Sequence, residues 1–336
     1  MFDVTQVLCT SSVAMGSWDV PPYGYLRNII LDVQATSGTG TDVTTSEDSP
    51  WNVISEIALL DVNGTPVVGP LDGYDLYLIN KWGGATGENS DPKASPMYSA
   101  VASASGNFRF CVRIPVELSS HDALGALPNM NSASPWKLRI TLASGSTLYD
   151  TAPSILPTVR IRAHVEAWGQ PLQTTIVQNP PAIGTTSYWS KSIINLGSGV
   201  NTLRLPRMGA LIRKLLFVYR DSSGSRANGA GLFPDPCSIH LDTLLLKTYG
   251  RDVWRHEMYR KTNYYQAAEC TNGLDNGVFV EGYGCDFDGK IDAEPRDQYL
   301  STTQSTRYEL SGSFTGAGVL TILTNDVTVP SEFFVG

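Results

Sequence analysis

Tyr25-Leu26-Arg27-Asn28-Ile29-Ile30-Leu31 has a counterpart 186 residues later, in Leu211-Ile212-Arg213-Lys214-Leu215-Leu216-Phe217. Both stretches are apolar apart from the same two central positions. Both lead into a Ser-Gly pair, which is Ser37-Gly38 in the first case and Ser223-Gly224 in the second. Apolar strands bounded by Gly-containing turns are typical of antiparallel β-structure. The two stretches therefore indicate an internal repeat that includes a strand and its exit turn.

The same offset continues along the chain without a gap. It matches a proline, a second apolar pair and a glycine, in the alignments Pro50 on Pro236, Leu59-Leu60 on Leu245-Leu246, and Gly64 on Gly250. Self-similarity at a fixed offset is the signature of a duplicated unit. We predict two copies of one fold, with Gly64 and Gly250 at equivalent turns.

The repeat divides the chain into an N-terminal domain at 1–168, a linker at 169–186 and a C-terminal domain at 187–336. A chain of 336 residues has the length of two domains of roughly 150 residues each. The linker contains Asn179-Pro180-Pro181. Because proline lacks a backbone donor and pushes the preceding residue toward extended geometry, we expect no helix around this pair.

Short strands dominate the apolar patterning of both halves. Residues 159–167 alternate apolar with charged side chains, and 108–114 and 136–142 alternate in a similar way. Alternation with a period of two puts one face of a strand in the core and the other face in polar surroundings. Helical patterns are confined to short pieces near 72–81 and 121–128.

Two long loops, 83–106 and 221–236, are rich in small residues. Many short strands with long connections are typical of β-sandwiches and jelly rolls rather than of parallel sheets. The sequence therefore predicts an all-β protein of two tandem jelly-roll β-sandwiches, a double jelly roll. Loop 83–106 would be a flexible liability in an isolated monomer unless a partner orders it, so we expect it at a tower or at an intersubunit contact.

The charge content argues against nucleic-acid binding. Charged residues make up 17% of the chain, against about 25% in a typical soluble domain. The net charge is -8, and no run of Lys and Arg exceeds two residues. A protein that neutralises phosphates needs clustered basic side chains. We therefore expect no direct, sequence-specific contact with nucleic acid.

The cysteines indicate a reducing compartment. There are five, without a CxxC spacing, and an odd number cannot all pair within one chain. We expect them to be reduced, which points to synthesis and assembly in cytoplasm. The first residues include an acid rather than a basic segment, and no apolar run reaches 18 residues, so we expect neither a signal peptide nor a membrane span. The five positions are Cys9, Cys111, Cys237, Cys270 and Cys285.

Two tandem β-rich halves, in which the second strand ends at Asn63-Gly64 or Tyr249-Gly250, resemble the double jelly-roll major capsid proteins of tailless icosahedral viruses. The resemblance covers nearly the whole chain as a pattern and is clearest at 54–64 and 239–259. It implies a homotrimer whose six jelly rolls form a pseudo-hexagonal ring, with strands roughly normal to the shell. The length, the expected absence of a signal peptide and the unpaired cysteines fit the members from prokaryotic viruses such as bacteriophages, which often enclose a membrane.

The same resemblance implies partners and a location. Each trimer would contact neighbouring capsomers, and minor capsid, penton or internal membrane proteins are further candidate partners. The protein would be a component of the virion, assembled in the host cytoplasm. A subunit that tiles a shell needs rigid walls, which stacked strands supply, and loops that contact its neighbours.

Catalytic motifs are absent from the sequence. It contains no Gly-x-Ser-x-Gly elbow, no Walker loop and no HExxH. The four histidines, His121, His164, His240 and His256, are mostly far apart, which favours exposed strand or loop positions over a metal or catalytic set. We therefore expect neither enzymatic activity nor a cofactor.

Five carboxylates crowd around Gly289 within twelve residues. Hard carboxylate oxygens in one loop are potential calcium ligands, but the spacing is not that of an EF-hand. Lys290 and Arg296 can offset the charge locally, so we favour a solvated acidic loop and keep calcium as the alternative. The carboxylates are Asp286, Asp288, Asp292, Glu294 and Asp297.

Aromatic and basic residues are dense in 249–265. Tyr, Trp and Arg are enriched in subunit interfaces, but a sandwich wall with arginines over aromatic rings gives the same composition, and so does a carbohydrate platform. We expect core or interface, with Trp254, Arg255, Tyr259, Tyr264 and Tyr265 as interface candidates. The alternative function is that of a monomeric two-domain β-sandwich that binds carbohydrate, lectin-like or related to an inactive glycosidase.

Overall fold

The computed structural model describes residues 2–84, 91–118, 125–169, 186–262, 264, 266–283 and 298–328. The chain divides into two compact units, Met1–Ser187 and Tyr188–Gly336. The boundary predicted at 186/187 lies beside this division. Of the predicted linker, the two ends, Gly169 and Thr186, fall among the described residues.

The first unit consists mainly of strands. They are β1 (Phe2–Val7), β2 (Val13–Asp19), β3 (Tyr25–Thr36), β4 (Thr44–Thr45), β5 (Ile54–Leu60), β6 (Pro66–Leu71), β7 (Phe108–Pro115), β8 (Leu127–Pro128), β9 (Lys137–Leu142), β10 (Tyr149–Thr151) and β11 (Thr158–Trp168). The helices are α1 (Gly73–Trp82) and the single turn α2 (Gly145–Leu148), with short 3-10 turns at Trp51–Val53 and Pro92–Ala94.

The second unit also consists mainly of strands. Its strands are β12 (Thr186–Leu196), β13 (Gly199–Arg204), β14 (Leu211–Asp221), β15 (Cys237–Leu241), β16 (Leu244–Tyr249), β17 (Val278–Gly282), β18 (Leu300–Ser301), β19 (Tyr308–Phe314) and β20 (Gly318–Thr328). The helices are α3 (Arg226–Gly229), α4 (Arg251–Thr262) and α5 (Ala267–Asn272), with a 3-10 turn at Ala230–Leu232.

Strand order is the same in the two units. The first unit has the sheets β1-β11-β3-β7 and β2-β9-β5-β6, and the second has β12-β20-β14-β17 and β13-β19-β15-β16. When the eight main strands of each unit are lettered B to I in chain order, both units have the sheets B-I-D-G and C-H-E-F. This is the jelly-roll order, so the predicted all-β fold of two tandem jelly rolls is confirmed.

The repeat found in the sequence is correct at strand D. β3 and β14 are the two D strands, and their first residues, Tyr25 and Leu211, lie at the predicted offset. Both strands are hydrogen-bonded on both edges, β3 to β11 and β7, and β14 to β20 and β17. Most side chains of these two strands are also buried on both faces of the sheet, in accord with their largely apolar sequences.

The predicted equivalence of Gly64 and Gly250 is wrong. Gly64 lies in the E–F turn between β5 and β6, where its φ of 82° is in the left-handed region that favours glycine. Gly250 follows strand F and precedes α4, and its φ is not in that region. The true E–F turn of the second unit is at Asp242, with φ 51°, whose carboxylate accepts the backbone N–H groups of Thr306 and Arg307.

Each unit has a helix between strands F and G, and we call the side of the sandwich that carries this helix the F–G side. In the first unit α1 follows β6 and packs on β5 and β7, and in the second unit α4 follows β16 and packs on β17. The helix predicted near 72–81 is thus confirmed. The one predicted near 121–128 is not found in its described part, where Leu127–Pro128 form β8. No helix in the described ranges is both long and apolar enough to cross a membrane.

A closed N-terminal cap starts α1. The Asp72 carboxylate accepts the Asp75 backbone N–H at 2.7 Å, and the Asp75 carboxylate accepts the Asp72 N–H at 3.0 Å. This reciprocal arrangement satisfies two backbone donors that the first helical turn leaves open. The chain therefore turns sharply from strand F into the helix.

A buried ion pair closes the other end of α1. The Lys81 ammonium donates to Asp91 at 2.9 Å and to the Tyr77 hydroxyl at 3.1 Å, and that hydroxyl donates to Asp91. Burial opposes ionisation of Asp91, but the Lys81 charge and hydrogen bond and the Lys93 N–H hold the Asp91 pKa below its ordinary value. Asp91, which belongs to the described part of loop 83–106, thus contacts α1 of its own unit.

The core of the second unit is an aromatic cluster around Trp254 of α4. The Trp254 indole is fully buried and donates its Nε1–H to the carbonyl of Val280 at 2.8 Å. Its ring lies 5.8 Å from Phe217, 5.8 Å from Phe233 and 5.7 Å from Phe279, measured between centroids. Trp254 therefore anchors the helix to the sandwich.

Trp254→Ala tests this anchor. Loss of a fully buried indole should lower the free energy of unfolding by about 3–5 kcal/mol, because a cavity remains where the ring was. Tyr259→Ala on the same helix is the matched control: its ring is 46% exposed, and we expect a loss of about 1 kcal/mol or less in the isolated chain. Urea unfolding measures both, and equal losses would contradict the assignment.

Asp91→Asn tests the buried pair at the end of α1. With Lys81 left buried and uncompensated, the free energy of unfolding at pH 7 should fall by about 3 kcal/mol. Since the Asp91 pKa is lower in the folded chain than the ordinary 3.8, the stabilisation is present above that pH and is lost as pH falls through the folded-state pKa. The gap between wild type and variant should therefore close in acid.

The control for this prediction removes both charges. Lys81→Met combined with Asp91→Leu should recover most of the lost stability, because replacing a buried ion pair with apolar groups is often nearly neutral. Chemical denaturation from pH 2 to 7 makes the comparison. A pH-independent gap between wild type and Asp91→Asn would show that the charge on Asp91 is not what stabilises this end of the helix.

Candidate functional site

Three of the predicted interface residues, Trp254, Arg255 and Tyr259, belong to helix α4, and they lie on different sides of it. Trp254 faces inward, so its prediction as an interface residue is corrected: its neighbours are the sandwich core. Arg255 is half-buried, with its guanidinium carbon 5.8 Å from the Phe279 ring centroid. Tyr259 is exposed and Tyr264 is half-buried, whereas Tyr265 lies outside the described residues.

The outward face of α4 is formed by Asp252, Val253, Arg255, His256 and Tyr259. Val253 is 52% exposed, a high value for an aliphatic side chain on a packed helix. An open cavity of about 510 Å³ lies beside the helix, and among the described residues its lining includes the other four. Within the described residues, the side chains of Asp252 and Arg255 make no hydrogen bond or ion pair. The described lining of the cavity thus combines an exposed aromatic ring, a carboxylate and a guanidinium.

The charge of α4 is opposite in sign to that of the chain. Four basic and two acidic side chains give the helix a net charge of +2. Since the whole chain has a net charge of -8, the residues outside the helix carry -10. Within the helix, Glu257 and Arg260 form an ion pair at 3.0 Å, and the Arg260 hydrogen bond holds the Glu257 pKa below its ordinary value. α4 is therefore a locally basic element on an acidic protein.

Beneath α4 lies a charged cluster that the sequence analysis missed. The buried Glu281 carboxylate accepts hydrogen bonds from the ammonium groups of Lys247 and Lys261, and Lys261 also donates to the Gly282 carbonyl at 2.9 Å. Burial lowers the pKa of Lys247, and the second ammonium acts in the same direction while Glu281 opposes it. The cluster ties the end of α4 to strands F and G.

Tyrosines complete this cluster. The hydroxyls of Tyr283 and Tyr308 are 2.8 Å apart, and burial raises the pKa of both phenols. The Lys247 ammonium lies 5.3 Å from the Tyr283 ring centroid. All these residues except Tyr283 belong to strands or α4, so the group holds the helix in place and is not part of its outward face.

The outer face of the first unit's B-I-D-G sheet carries a different set of charges. Arg109 donates two hydrogen bonds to Asp32 at 3.0 and 2.9 Å, Arg162 lies 3.8 Å from Asp32, and Asp3 pairs with Arg160 and Arg162. The Arg160 hydrogen bond holds the Asp3 pKa below its ordinary value. These arginines are already paired with carboxylates, in contrast to Arg255 of α4.

The predicted acidic loop lies outside the described residues, including Asp286, Asp288 and Asp292. No group of His, Cys, Asp or Glu side chains that could hold a metal ion occurs in the described part of the chain. Of the histidines, His121 also lies outside it, while His164, His240 and His256 belong to three different elements: β11, β15 and α4. The calcium alternative therefore stays untested.

The alternative carbohydrate-binding surface would lack its central aromatic side chain. Trp254 is fully buried, and Tyr249 packs against it with ring centroids 6.1 Å apart. Tyr259 is left as the exposed ring on α4. A flat aromatic surface for a sugar ring is thus not formed by these three residues.

No protein-family model matches the sequence, and no curated protein matches it. Solved structures do match. The major capsid protein of STIV, the Sulfolobus turreted icosahedral virus, aligns with 100% of this chain and 99% of its own, with a TM-score of 0.65 and 13% sequence identity. The major capsid protein P2 from bacteriophage PM2 aligns with 98% of both chains, with a TM-score of 0.54 and 9% identity.

These alignments extend over both units and over nearly the full length of the matched proteins. At such low identity the likeness concerns the path of the backbone and not individual residues. The common feature is a pair of jelly rolls in tandem. The chain therefore has the fold of the double jelly-roll major capsid proteins of icosahedral viruses.

Proposed function

We propose that this protein is the major capsid protein of a tailless icosahedral virus, a structural subunit without a catalytic step. The observation that carries the proposal is the end-to-end match of both units to viral major capsid proteins, including the identical strand order of the two jelly rolls. Stacked antiparallel sheets make each unit a rigid wall, which a subunit that tiles a surface requires.

The duplication suggests the oligomeric state. Three chains carry six similar jelly rolls, and a closed ring of three chains therefore has a nearly hexagonal outline. Closed cyclic symmetry is the general rule for soluble homo-oligomers, because head-to-tail contacts that do not close produce filaments. We infer a homotrimeric capsomer that packs against neighbouring capsomers. Minor capsid, penton or internal membrane proteins are its further proposed partners.

The thiols support assembly in a reducing compartment. Among the described residues, Cys9, Cys111 and Cys237 are free thiols. Burial raises the pKa of Cys237 to about 12, so this thiol is protonated and unreactive at neutral pH. A subunit whose thiols are reduced is suited to assembly in the host cytoplasm before it becomes part of a virion.

Static light scattering of the purified chain tests the proposal. We expect a species of three times 36.4 kDa. Electron microscopy of the concentrated protein should show rings with a hexagonal outline. The opposing result is a monomer at every concentration that binds a component of a glycan array, which would favour the carbohydrate-binding function instead.

A further inference from the structure

The charged cluster beneath α4 has two amines for one carboxylate. Lys247 of strand F and Lys261 of α4 both donate to the same oxygen, Oε1 of Glu281 on strand G. The Glu281 side chain is 2% exposed, so water screens its charge very little. Lys261 also donates to the Gly282 carbonyl at 2.9 Å, which keeps its ammonium beside that of Lys247. Lys247 therefore shares its carboxylate partner with a second cation.

The surroundings of the Lys247 amine lower its pKa. Burial and the neighbouring ammonium favour the neutral amine, whereas Glu281 and the rings of Tyr249 and Tyr283, with centroids 5.9 and 5.3 Å away, favour the charged form. Burial is the largest effect, and the pKa of Lys247 lies below the ordinary 10.5. Burial also raises the phenol pKa values of Tyr249, Tyr283 and Tyr308, so these groups add no negative charge at neutral pH.

The Lys247 amine remains accessible from solvent. Its side chain is 20% exposed. Strand F also lies at the edge of its sheet, where it is hydrogen-bonded to strand E alone among the described strands. The neutral amine of a lysine, and not its ammonium, is the nucleophile, and desolvation or a nearby cation is the usual means of activating it. Lys247 thus combines an activated amine with access for a reagent of a few atoms.

We propose that Lys247 is a covalent modification site for small aldehydes, which it holds as an imine. The amine nitrogen bonds to the carbonyl carbon, and the carbonyl oxygen leaves as water with the two hydrogens of the neutral amine. The step requires no oxidant or reductant. The inference goes beyond the proposed function and does not depend on it, because all the residues of the cluster belong to one chain.

The charge balance of the cluster favours an imine as the product. A neutral imine at Lys247 leaves the Lys261 ammonium as the partner of Glu281, one cation for one carboxylate. Burial opposes charged groups that are not compensated, and it does not oppose an uncharged nitrogen in the same way. An exposed lysine, such as Lys137 of strand H, gains neither effect. The imine should therefore form more readily at Lys247 than at Lys137 near neutral pH.

Reductive trapping tests the proposal. The purified wild-type chain is treated with glycolaldehyde and sodium cyanoborohydride at pH 7 and at pH 10, and peptide mass spectrometry at early times measures the rate at each lysine. Lys137 in the same sample is the reference, so the effect of pH on the reagents cancels. The ratio of the Lys247 rate to the Lys137 rate should fall several-fold from pH 7 to pH 10, because an ordinary lysine becomes neutral only near pH 10.4. A ratio that does not change with pH would overturn the proposal.

Two substitutions should change this reactivity in opposite directions. Lys261→Met removes the second cation and should slow modification of Lys247 at pH 7 by about tenfold relative to Lys137. Glu281→Gln removes the carboxylate that favours the ammonium and should accelerate it. The matched control is Lys93→Met, which removes a lysine charge from the first unit and should leave the ratio unchanged.

Circular dichroism establishes that each variant is folded. Glu281→Gln leaves two ammonium groups without their carboxylate and is the variant most at risk of unfolding, whereas Lys261→Met leaves Lys247 and Glu281 as a balanced pair. If Lys261→Met reacts at the wild-type rate, the second ammonium does not activate Lys247 and the proposal is wrong.

The remaining outcomes are equally decisive. A preference for Lys247 at pH 7 that is lost in Lys261→Met and kept in Lys93→Met would support the modification site. A Lys247 that stays unmodified at every pH would limit the cluster to holding α4 in place and contradict the proposal. Neither result bears on the capsid role, which the oligomeric state tests separately.

Discussion

Hydrogen bonding of the D strand on both of its edges is the constraint on which each unit depends. β3 is paired from Tyr25 to Thr36 with β11 and from Asn28 to Ala35 with β7, and β14 is held in the same way between β20 and β17. A shift of one residue in such a strand would reverse every inward side chain at two ladders at once. The register of the D strand therefore positions the neighbouring strands, and strand G in turn positions the F–G helix.

This constraint explains which parts of the repeat could be predicted from the sequence. The offset of 186 residues is correct at the D strand and at the proline before strand E, where Pro50 and Pro236 both follow cis peptide bonds. It fails at strand E, because the 3-10 turn Trp51–Val53 separates Pro50 from β5 whereas β15 begins directly after Pro236, and the connection that follows, 242–243, is also shorter than 61–65. Turns at a sheet edge face solvent and tolerate changes in length, so Leu245-Leu246 moved into strand F while Leu59-Leu60 stayed in strand E.

The site was harder to predict than the fold. Composition alone grouped Trp254 with Tyr259 as interface residues, although they lie on opposite sides of one helix. The spacing of Trp254 and Met258, four residues apart, is the signal that separates them, since residues i and i+4 share a helix face. The Lys247–Glu281–Lys261 cluster had no signal in the sequence. Its members come from strand F, strand G and α4, and the closing of the sandwich brings them together.

In a duplicated fold, the number of equivalent docking surfaces on each chain depends on how alike its two units are. If both F–G sides were open and alike, each chain would offer two equivalent docking sides, and association would not be limited to a closed ring. α1 has its polar groups satisfied internally, by the cap at Asp72 and the pair of Lys81 with Asp91. α4 instead has charged groups without partners among the described residues and an exposed valine. Divergence of charge and burial at one topological position thus leaves, of these two helices, only α4 with an exposed outward face.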